Sequence, residues 1–323
     1  MHIFFDNKRF ELEQEQTVLS ALLDQGYDIP NICRAGACQS CIMQATKGEI
    51  PSEAQLGLKE TLKLQGYFLA CCCKPKTPLH IIDDAKKHEH FSATVIHHTL
   101  FNDNILCLRL KPLSTFNYHA GQFITIWKNN KIGRNYSLAS VVNTDAYIEL
   151  HIRRVDKGIV SNWLFDEVKL NDTLQIQAAM GNCFYTPEAP EQTLLLAGTG
   201  TGLAPLYGIM RDALQQGHRG EIHLIHGAIQ TKDLYMHKTL LDLQSLYKQF
   251  HYHASVLQND NKQCSISTIP IDEQVLNVAN NLPKCKIYLC GAPDIVNLMK
   301  NKLFLAGAST KNIFADPFIA ASN

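Results

Sequence analysis

CRAGACQSC, residues 33–41, sets three cysteines into nine positions. Thiols so close together serve a disulfide, a zinc ion, a catalytic nucleophile or an iron–sulfur cluster, and the rest of the chain has to separate these uses. There are eleven cysteines in all. The opening MHIFFDNKRFELE has neither a basic region followed by a long apolar core nor an arginine-rich amphipathic leader, so no export signal is expected and the location expected is cytoplasmic. Cytoplasmic thiols are kept reduced, which sets a disulfide framework aside.

Spacing narrows the choice further. Cys33, Cys38 and Cys41 read C-x4-C-x2-C, and Cys71 follows after twenty-nine intervening residues. Zinc sites favour two C-x2-C pairs, or one pair with two histidines close by, and the four-residue gap suits them poorly. The same gap followed by a distant cysteine is the plant-type [2Fe–2S] spacing. One loop then wraps the cluster with three thiolates while a fourth arrives from elsewhere, so the expected metal ligands are Cys33, Cys38, Cys41 and Cys71. Ala35, Gly36 and Ala37 are small enough to let backbone amides approach the cluster sulfurs. Arg34 either steadies the anionic cluster or is a solvated surface arginine. Cys72 and Cys73 break the spacing and are expected to be packing or half-exposed thiols, and Cys107, Cys183, Cys264 and Cys285 small core residues.

A chain of 323 residues is long for one hydrophobic core and suggests two or three domains. Lysine plus arginine equals aspartate plus glutamate, 30 each, so no net field draws the protein to nucleic acid or to an anionic membrane. The uncharged run TLLLAGTGTGLAPLYGIM, residues 193–210, approaches membrane-spanning length, but its four glycines, three threonines and proline read better as a buried strand entering a helix. No membrane span and no nucleic-acid partner are expected.

Three rhythms follow one another. Residues 1 to about 82 form a small mixed unit, with MHIFFD and KRFELE as strands joined at Asn7-Lys8, TVLSALLDQG as a helix and PLHII as a closing strand. DDAKKHEH, residues 83–90, suits a linker. From Phe91 to Pro187, short alternating segments such as SATVIHHTL, GQFITIW and RNYSLASV, broken only by the helical GIVSNWLFDEV, imply an antiparallel barrel or sandwich. From Thr193, strand and helix alternate (TLLLAG, EIHLIHGA and KIYLCGA each precede a helical run), which implies a parallel sheet covered on both faces.

A [2Fe–2S] cluster passes single electrons, whereas a nicotinamide gives up two as a hydride, so a chain that used both would need a flavin between them. GRNYSLAS, residues 133–140, offers an arginine for phosphates, an aromatic ring to stack on isoalloxazine and a hydroxyl to bond it; GIVSNWL, residues 158–164, opens a helix whose N-terminus suits a pyrophosphate. AGTGTGLAP, residues 197–205, lacks the third glycine of a Rossmann fingerprint, with Leu203 in that place, yet it lets a phosphate-bearing ligand or a plain tight turn sit at a helix start.

With these residues in view, the first segment resembles the plant-type ferredoxin family, CRAGACQSC being similar to its cluster loop and FLACCCKP to the segment bearing its fourth ligand; Gln39 stands where many relatives have glycine. The remainder resembles the ferredoxin–NAD(P)H reductase family, with its Arg-x-Tyr-Ser motif, its Gly-x-Gly-x-Gly-x-Ala-Pro run and, in YLCGAPDIV, its Cys-Gly-x-Pro. The resemblance implies flavin contacts by Arg134 (phosphates), Tyr136 (ring stacking) and Ser137 (central nitrogen), and pyrophosphate binding by Gly158 and Ser161. It implies Gly198, Thr199 and Gly200 on the nicotinamide nucleotide and Cys290 beside the nicotinamide, although Cys290 also reads as a strand-end core thiol. Asp316 and Phe318 in ADPF fall where the family keeps an acid and an aromatic near the flavin. MGNCFY lacks the proline of the family's Gly-Pro-x-Gly turn and contributes no ligand. Ile229 in GAIQTKD replaces an arginine that would hold a 2′-phosphate, which tilts the cofactor to NADH, while Lys232 leaves NADPH open.

The order implied is a β-grasp-like [2Fe–2S] ferredoxin domain (1–86), an antiparallel β-barrel FAD domain (87–188) and a parallel-sheet α/β NAD(P)H domain (189–323), giving a multidomain α+β and α/β fold. That is the order of NADH-dependent reductase components of bacterial multicomponent oxygenases, in which electrons pass from NADH through FAD to the cluster and on to an oxygenase. Two other readings stand beside it: the same electron chain serving a deoxysugar dehydratase-type acceptor, and a non-catalytic redox sensor.

Overall fold

The computed structural model describes every residue except 7, 32, 37, 38, 40, 83–89, 259–265 and 319–323. Contacts divide the chain into two compact units, Met1–Glu89 and His90–Asn323. Asn7 and most of the expected linker lie outside the described residues.

In the first unit, alternating apolar residues give β1 (His2–Phe5), which pairs antiparallel with β2 (Lys8–Glu11). Thr17 then caps α1 (Val18–Asp24), its hydroxyl accepting from Ser20 N–H at 3.2 Å, and Val18, Leu19 and Leu22 turn inward. β3 (Ile42–Lys47), α2 (Glu60–Leu64), β4 (Tyr67–Leu69) and β5 (Leu79–Ile81) complete the sheet in the order β2-β1-β5-β3-β4, with β5 parallel to β1. A mixed sheet crossed by one helix is the β-grasp arrangement expected. β3, α2 and β4 are too short to show a period in the sequence.

The second unit opens with a six-stranded antiparallel sheet: β6 (His90–Asn102), β7 (Ile105–Pro112), β8 (Phe123–Asn129), β9 (Ile132–Ser137), β10 (Ile148–Arg153) and, after α3 (Ile159–Asp166), β11 (Thr173–Gln177). Its order is β10-β7-β6-β11-β8-β9, and the bridge from Leu138 to Leu150 joins the two edge strands into a barrel. Leu106, Leu108, Leu110, Ile124, Ile126, Leu150 and Ile152 fill it.

Strand and helix then alternate: β12 (Leu194–Thr199), α4 (Leu203–Gln215), β13 (Ile222–Gln230), α5 (His237–Leu246), β14 (Phe250–Gln258), α6 (Ile271–Val278), β15 (Lys286–Gly291), α7 (Pro293–Leu305) and β16 (Ile313–Pro317). All five strands are parallel, in the order β14-β13-β12-β15-β16. One face is covered by α4 and α5, the other by α6 and α7. Leu203, Leu206, Ile209 and Met210 of α4 are fully buried, which contributes on the order of 10 kcal/mol of hydrophobic stabilisation. The uncharged run 193–210 is thus β12 turning into α4, and among the described residues no helix is long and apolar enough to cross a membrane.

Candidate functional site

Two places gather the residues singled out in the sequence: the cysteine loop of the first unit and the crevice at the carboxyl ends of β12 and β15 in the second.

β3 begins one residue after Cys41, and β4 ends two residues before Cys71. Their antiparallel pairing, Ile42 opposite Leu69, brings the two cysteines together, with Ala70 N–H donating to Cys41 O at 3.0 Å. Both are buried, and burial pushes the Cys41 thiol up to about 11 and the Cys71 thiol upward. The two thiols are near enough to influence each other, the Gly36 backbone favours the Cys71 thiolate, and Ala35 N–H donates to the exposed Cys33 Sγ at 3.4 Å. Arg34 is exposed and donates to Asn31 Oδ1 at 3.0 Å. Cys72 Sγ lies 3.6 Å from Cys71 Sγ, whereas Cys73 is fully buried and pushed up to about 12. Among the described residues no three Cys, His, Asp or Glu side chains converge as a preformed ligand set, and Cys38 lies outside those residues. Buried thiols that stay protonated in water, backed by amide donors, suit a cationic iron centre, which supplies the charge that turns them into thiolates. Cys33, Cys41 and Cys71 therefore fit a [2Fe–2S] cluster, with Cys38 completing the spacing.

In the second unit the sheet order reverses at β12 and β15, which leaves a crevice beyond their carboxyl ends. Gly198 pairs with Cys290 across these strands. A Cβ at Gly202 would stand 2.4 Å from the Cys290 carbonyl oxygen, so this glycine is required by close packing. Thr199 Oγ1 accepts from Ala292 N–H at 3.3 Å and fastens the loop to the start of α7. Gly200 differs: its φ of +54° calls for glycine, and among the described residues the only heavy atom within 4 Å of its missing Cβ is a guanidinium nitrogen of Arg153, 3.8 Å away. Gly200 thus faces open space beside a cation, at the start of a helix, which fits a nucleotide phosphate. Ile229 is exposed at the end of β13, and Lys232 is exposed just beyond it.

The barrel brings Ser137 to the same crevice. Its hydroxyl donates to Asp316 Oδ2 at 3.4 Å, and Asp316 lies opposite Cys290 in the β15–β16 register. Burial pushes the Asp316 carboxyl up to about 6, the Ser137 bond opposing it in part. The Cys290 thiol is driven well up by burial and by Cys183, whose sulfur is 3.8 Å away. Phe318 follows, its N–H donating to Gly291 O at 2.8 Å. A cleft of about 80 Å³ beside them is lined by Gly121, Phe123, Gly181, Asn182, Cys183, Ala315 and Asp316. Too small to enclose a flavin, it marks an edge that a flavin ring could meet, with the Ser137–Asp316 polar pair to receive it. A larger concavity of about 360 Å³ at the β8–β9 turn, lined by Asn129, Asn130, Lys131 and Ile132, gathers none of these groups.

Not every expected residue joins them. Strand alternation puts Arg134 and Tyr136 on the face that Ile126 and Ile124 share with the barrel core, opposite to Ser137. Tyr136 packs on that core, and Arg134 donates to Gly133 O at 2.8 Å. Gly158 caps α3, while the Ser161 hydroxyl is buried and accepts from Val155 N–H at 3.2 Å. Cys183 is the small core residue expected, whereas Arg153 and the bond that clamps Thr199 to Ala292 have no counterpart in the sequence reading. Arg153 sits in HIRRV, where an arginine ending a strand carries no signal of its own.

A barrel, a parallel nucleotide sheet and an N-terminal cysteine-loop unit define a flavin- and nicotinamide-dependent iron–sulfur oxidoreductase. Family models agree: residues 3–76 match the 2Fe-2S iron-sulfur cluster binding domain, 92–185 the oxidoreductase FAD-binding domain and 196–301 the oxidoreductase NAD-binding domain. The chain belongs to the reductases that join a [2Fe–2S] ferredoxin domain to a ferredoxin–NADP reductase-like module, and its cofactors are a [2Fe–2S] cluster, FAD and a nicotinamide nucleotide. It is similar, at 27% identity covering 98% of this chain and 96% of the relative, to reductase component 1 of terephthalate 1,2-dioxygenase from Comamonas sp. At 27% identity, covering 96% and 95%, it is similar to the CDP-6-deoxy-L-threo-D-glycero-4-hexulose-3-dehydrase reductase of Yersinia pseudotuberculosis. The crystal structure of an Amycolatopsis cytochrome P450 reductase superposes with a TM-score of 0.69 at 26% identity, covering 99% of each chain.

Proposed function

We propose that the protein is the NADH-dependent reductase component of an oxygenase system and works in the cytoplasm. Its domains would be 1–86 for the cluster, 87–188 for FAD and 189–323 for NADH. The observation that carries the reading is the meeting of Ser137, Asp316 and Cys290 where the barrel reaches the crevice of the nucleotide sheet. Bound FAD would accept a hydride from NADH, and the cluster would carry electrons onward singly.

The residues do the holding. Ser137 and Asp316 face the flavin edge, Asp316 retaining a proton below about pH 6, and Cys290 and Phe318 border the nicotinamide. Thr199 and Gly200, with Gly198 packed beneath them and Arg153 alongside, take the nucleotide phosphates. Arg134, Tyr136, Gly158 and Ser161 hold FAD by resemblance of their motifs. Exposed Ile229 offers a 2′-phosphate no cation, which favours NADH. Full-length similarity to a dioxygenase reductase supports an oxygenase as acceptor, and similarity to the Yersinia dehydrase reductase is the one observation for the second reading. The nine free cysteines among the described residues suit a reducing compartment.

Purified protein should show flavin and iron–sulfur absorbance and reduce ferricyanide and cytochrome c with NADH; a preparation that binds no flavin and oxidises no NADH sinks the reading. Neighbouring genes, oxygenase or dehydratase, decide the acceptor.

A further inference from the structure

Between barrel and nucleotide sheet lies a buried polar chain that the mechanism above does not use. Glu149 and His151, on β10, are 5% and 4% exposed. Glu149 Oε1 meets His151 Nε2 at 3.1 Å, and His151 Nδ1 meets the Tyr235 hydroxyl at 3.0 Å, across 84 residues of sequence. The other carboxylate oxygen accepts from Arg109 Nε at 2.7 Å. Burial would raise the Glu149 carboxyl, but His151 and Arg109 outweigh it and hold it at about 2, so the carboxylate only accepts. His151 Nε2 is then the donor, and Nδ1, on the other side of the ring, is hydrogen-bonded to the Tyr235 hydroxyl. The bonds thus run without a break from Arg109 through Glu149 and His151 to Tyr235.

Tyr235 passes that orientation on. Its ring meets His226 edge to face, with centroids 5.6 Å apart at 89°. His226 stands on β13 opposite Gly198, the residue that leads into Thr199–Gly202. Its ring is fully buried, and neither nitrogen has a hydrogen-bond partner among the described residues. Burial drives it down to about 3, against the opposing pull of the Gly200 backbone. A neutral ring without a close directional bond depends on packing, and Tyr235, which meets it edge to face, is itself anchored by a hydrogen bond to the barrel. The loop packs on this strand and on β10 as well as on β15, β12 and α4, so two of its supports belong to the same network.

We propose that Glu149, His151 and Tyr235 form a positioning triad that, through His226, holds the Thr199–Gly202 loop in the shape that receives the nicotinamide nucleotide. The proposal rests on the reading of that loop as the nucleotide site. None of the three touches the reacting atoms. If the loop's competent shape becomes less populated, apparent nucleotide affinity falls in proportion, while the step after binding keeps its rate.

The test uses the holoenzyme with NADH as donor and ferricyanide as acceptor. In Tyr235→Phe the KM for NADH should rise about five- to twentyfold with kcat within twofold of wild type and flavin content unchanged. Glu149→Gln should do the same, and the double variant should exceed neither single change by more than twofold, because the groups act as one unit. If Glu149→Gln does not fold, His151→Gln takes its place in the cycle. An unchanged KM in Tyr235→Phe, additive effects in the double variant, or flavin loss with a parallel fall in kcat overturns the triad. Thr199→Val separates the two readings: if it raises the KM and Tyr235→Phe does not, only the triad fails; if neither moves it, the loop reading fails and the triad with it.

Discussion

Gly202 touches Cys290 so closely that a methyl group on its α-carbon would lie 2.4 Å from the Cys290 carbonyl oxygen and 2.6 Å from the carbonyl carbon. Gly200, two residues earlier, has room for a methyl group but a φ of +54°. The glycine run therefore holds two different requirements, one steric and one conformational. Gly202→Ala should destabilise by about 3 kcal/mol, overpacking against backbone that cannot yield, and lower the Tm by about 6–12 °C. Gly200→Ala should cost only about 1 kcal/mol while weakening NADH binding more than its stability loss explains. Thermal unfolding paired with NADH titration checks the ranking, and equal Tm losses would contradict it.

Asp316 sets a pH dependence. Its folded-state pKa of about 6 lies above that of an exposed carboxyl, about 3.9, so its contribution is fully present below about pH 4 and is lost as pH rises to about 6. The ionised, buried carboxylate then costs up to about 3 kcal/mol. Asp316→Asn removes this loss. Denaturant unfolding of flavin-free protein should show the variant gaining on wild type between pH 4 and 6 and holding a constant advantage above; a difference independent of pH would refute the assignment.

The cysteines should separate into ligands and packing. Cys71→Ser and Cys38→Ser should abolish the visible absorbance and the reduced-state paramagnetic signal of a [2Fe–2S] cluster, while Cys72→Ser keeps both. Cys73→Ser should also keep the cluster but lose about 1–3 kcal/mol, since its hydroxyl would enter a site with no exposed surface. Iron content per chain, measured beside stability, shows whether the two effects part in this way.

Ile229 controls nucleotide choice. Ile229→Arg places a guanidinium at an exposed strand end beside Lys232, suited to a 2′-phosphate. The ratio of kcat/KM for NADPH over NADH should rise at least about tenfold, a 1.4 kcal/mol preference. No change in the ratio would mean that the 2′ position lies elsewhere.

Much of this was legible because it is local. Cysteine spacing, the period-two strands of the barrel, and glycines at the entry to a helix all act within a few residues. Short β3 and β4 were not, since three to six residues show no period, and β14 hid because FHYHASVLQ sets histidines where a buried strand normally carries aliphatics. The Glu149–His151–Tyr235 chain was illegible for a different reason: each residue is ordinary in its own strand or turn, and only the packing of barrel on sheet brings them together. The sequence also gives RNYS as one motif, whereas pleating turns Ser137 to the crevice and Tyr136 to the core.

The bonds that cross from barrel to sheet also bear on how such a chain is inherited. His151 meets Tyr235, and Asp145 accepts both guanidinium nitrogens of Arg211 at 2.8 Å, so each pair has one member on either side of residue 188. A recombination event at that joint would unite a carboxylate from one ancestor with a partner shaped by another, leaving buried charge unmatched. Residues 90 to 323 should accordingly descend as one block, exchanged whole between lineages.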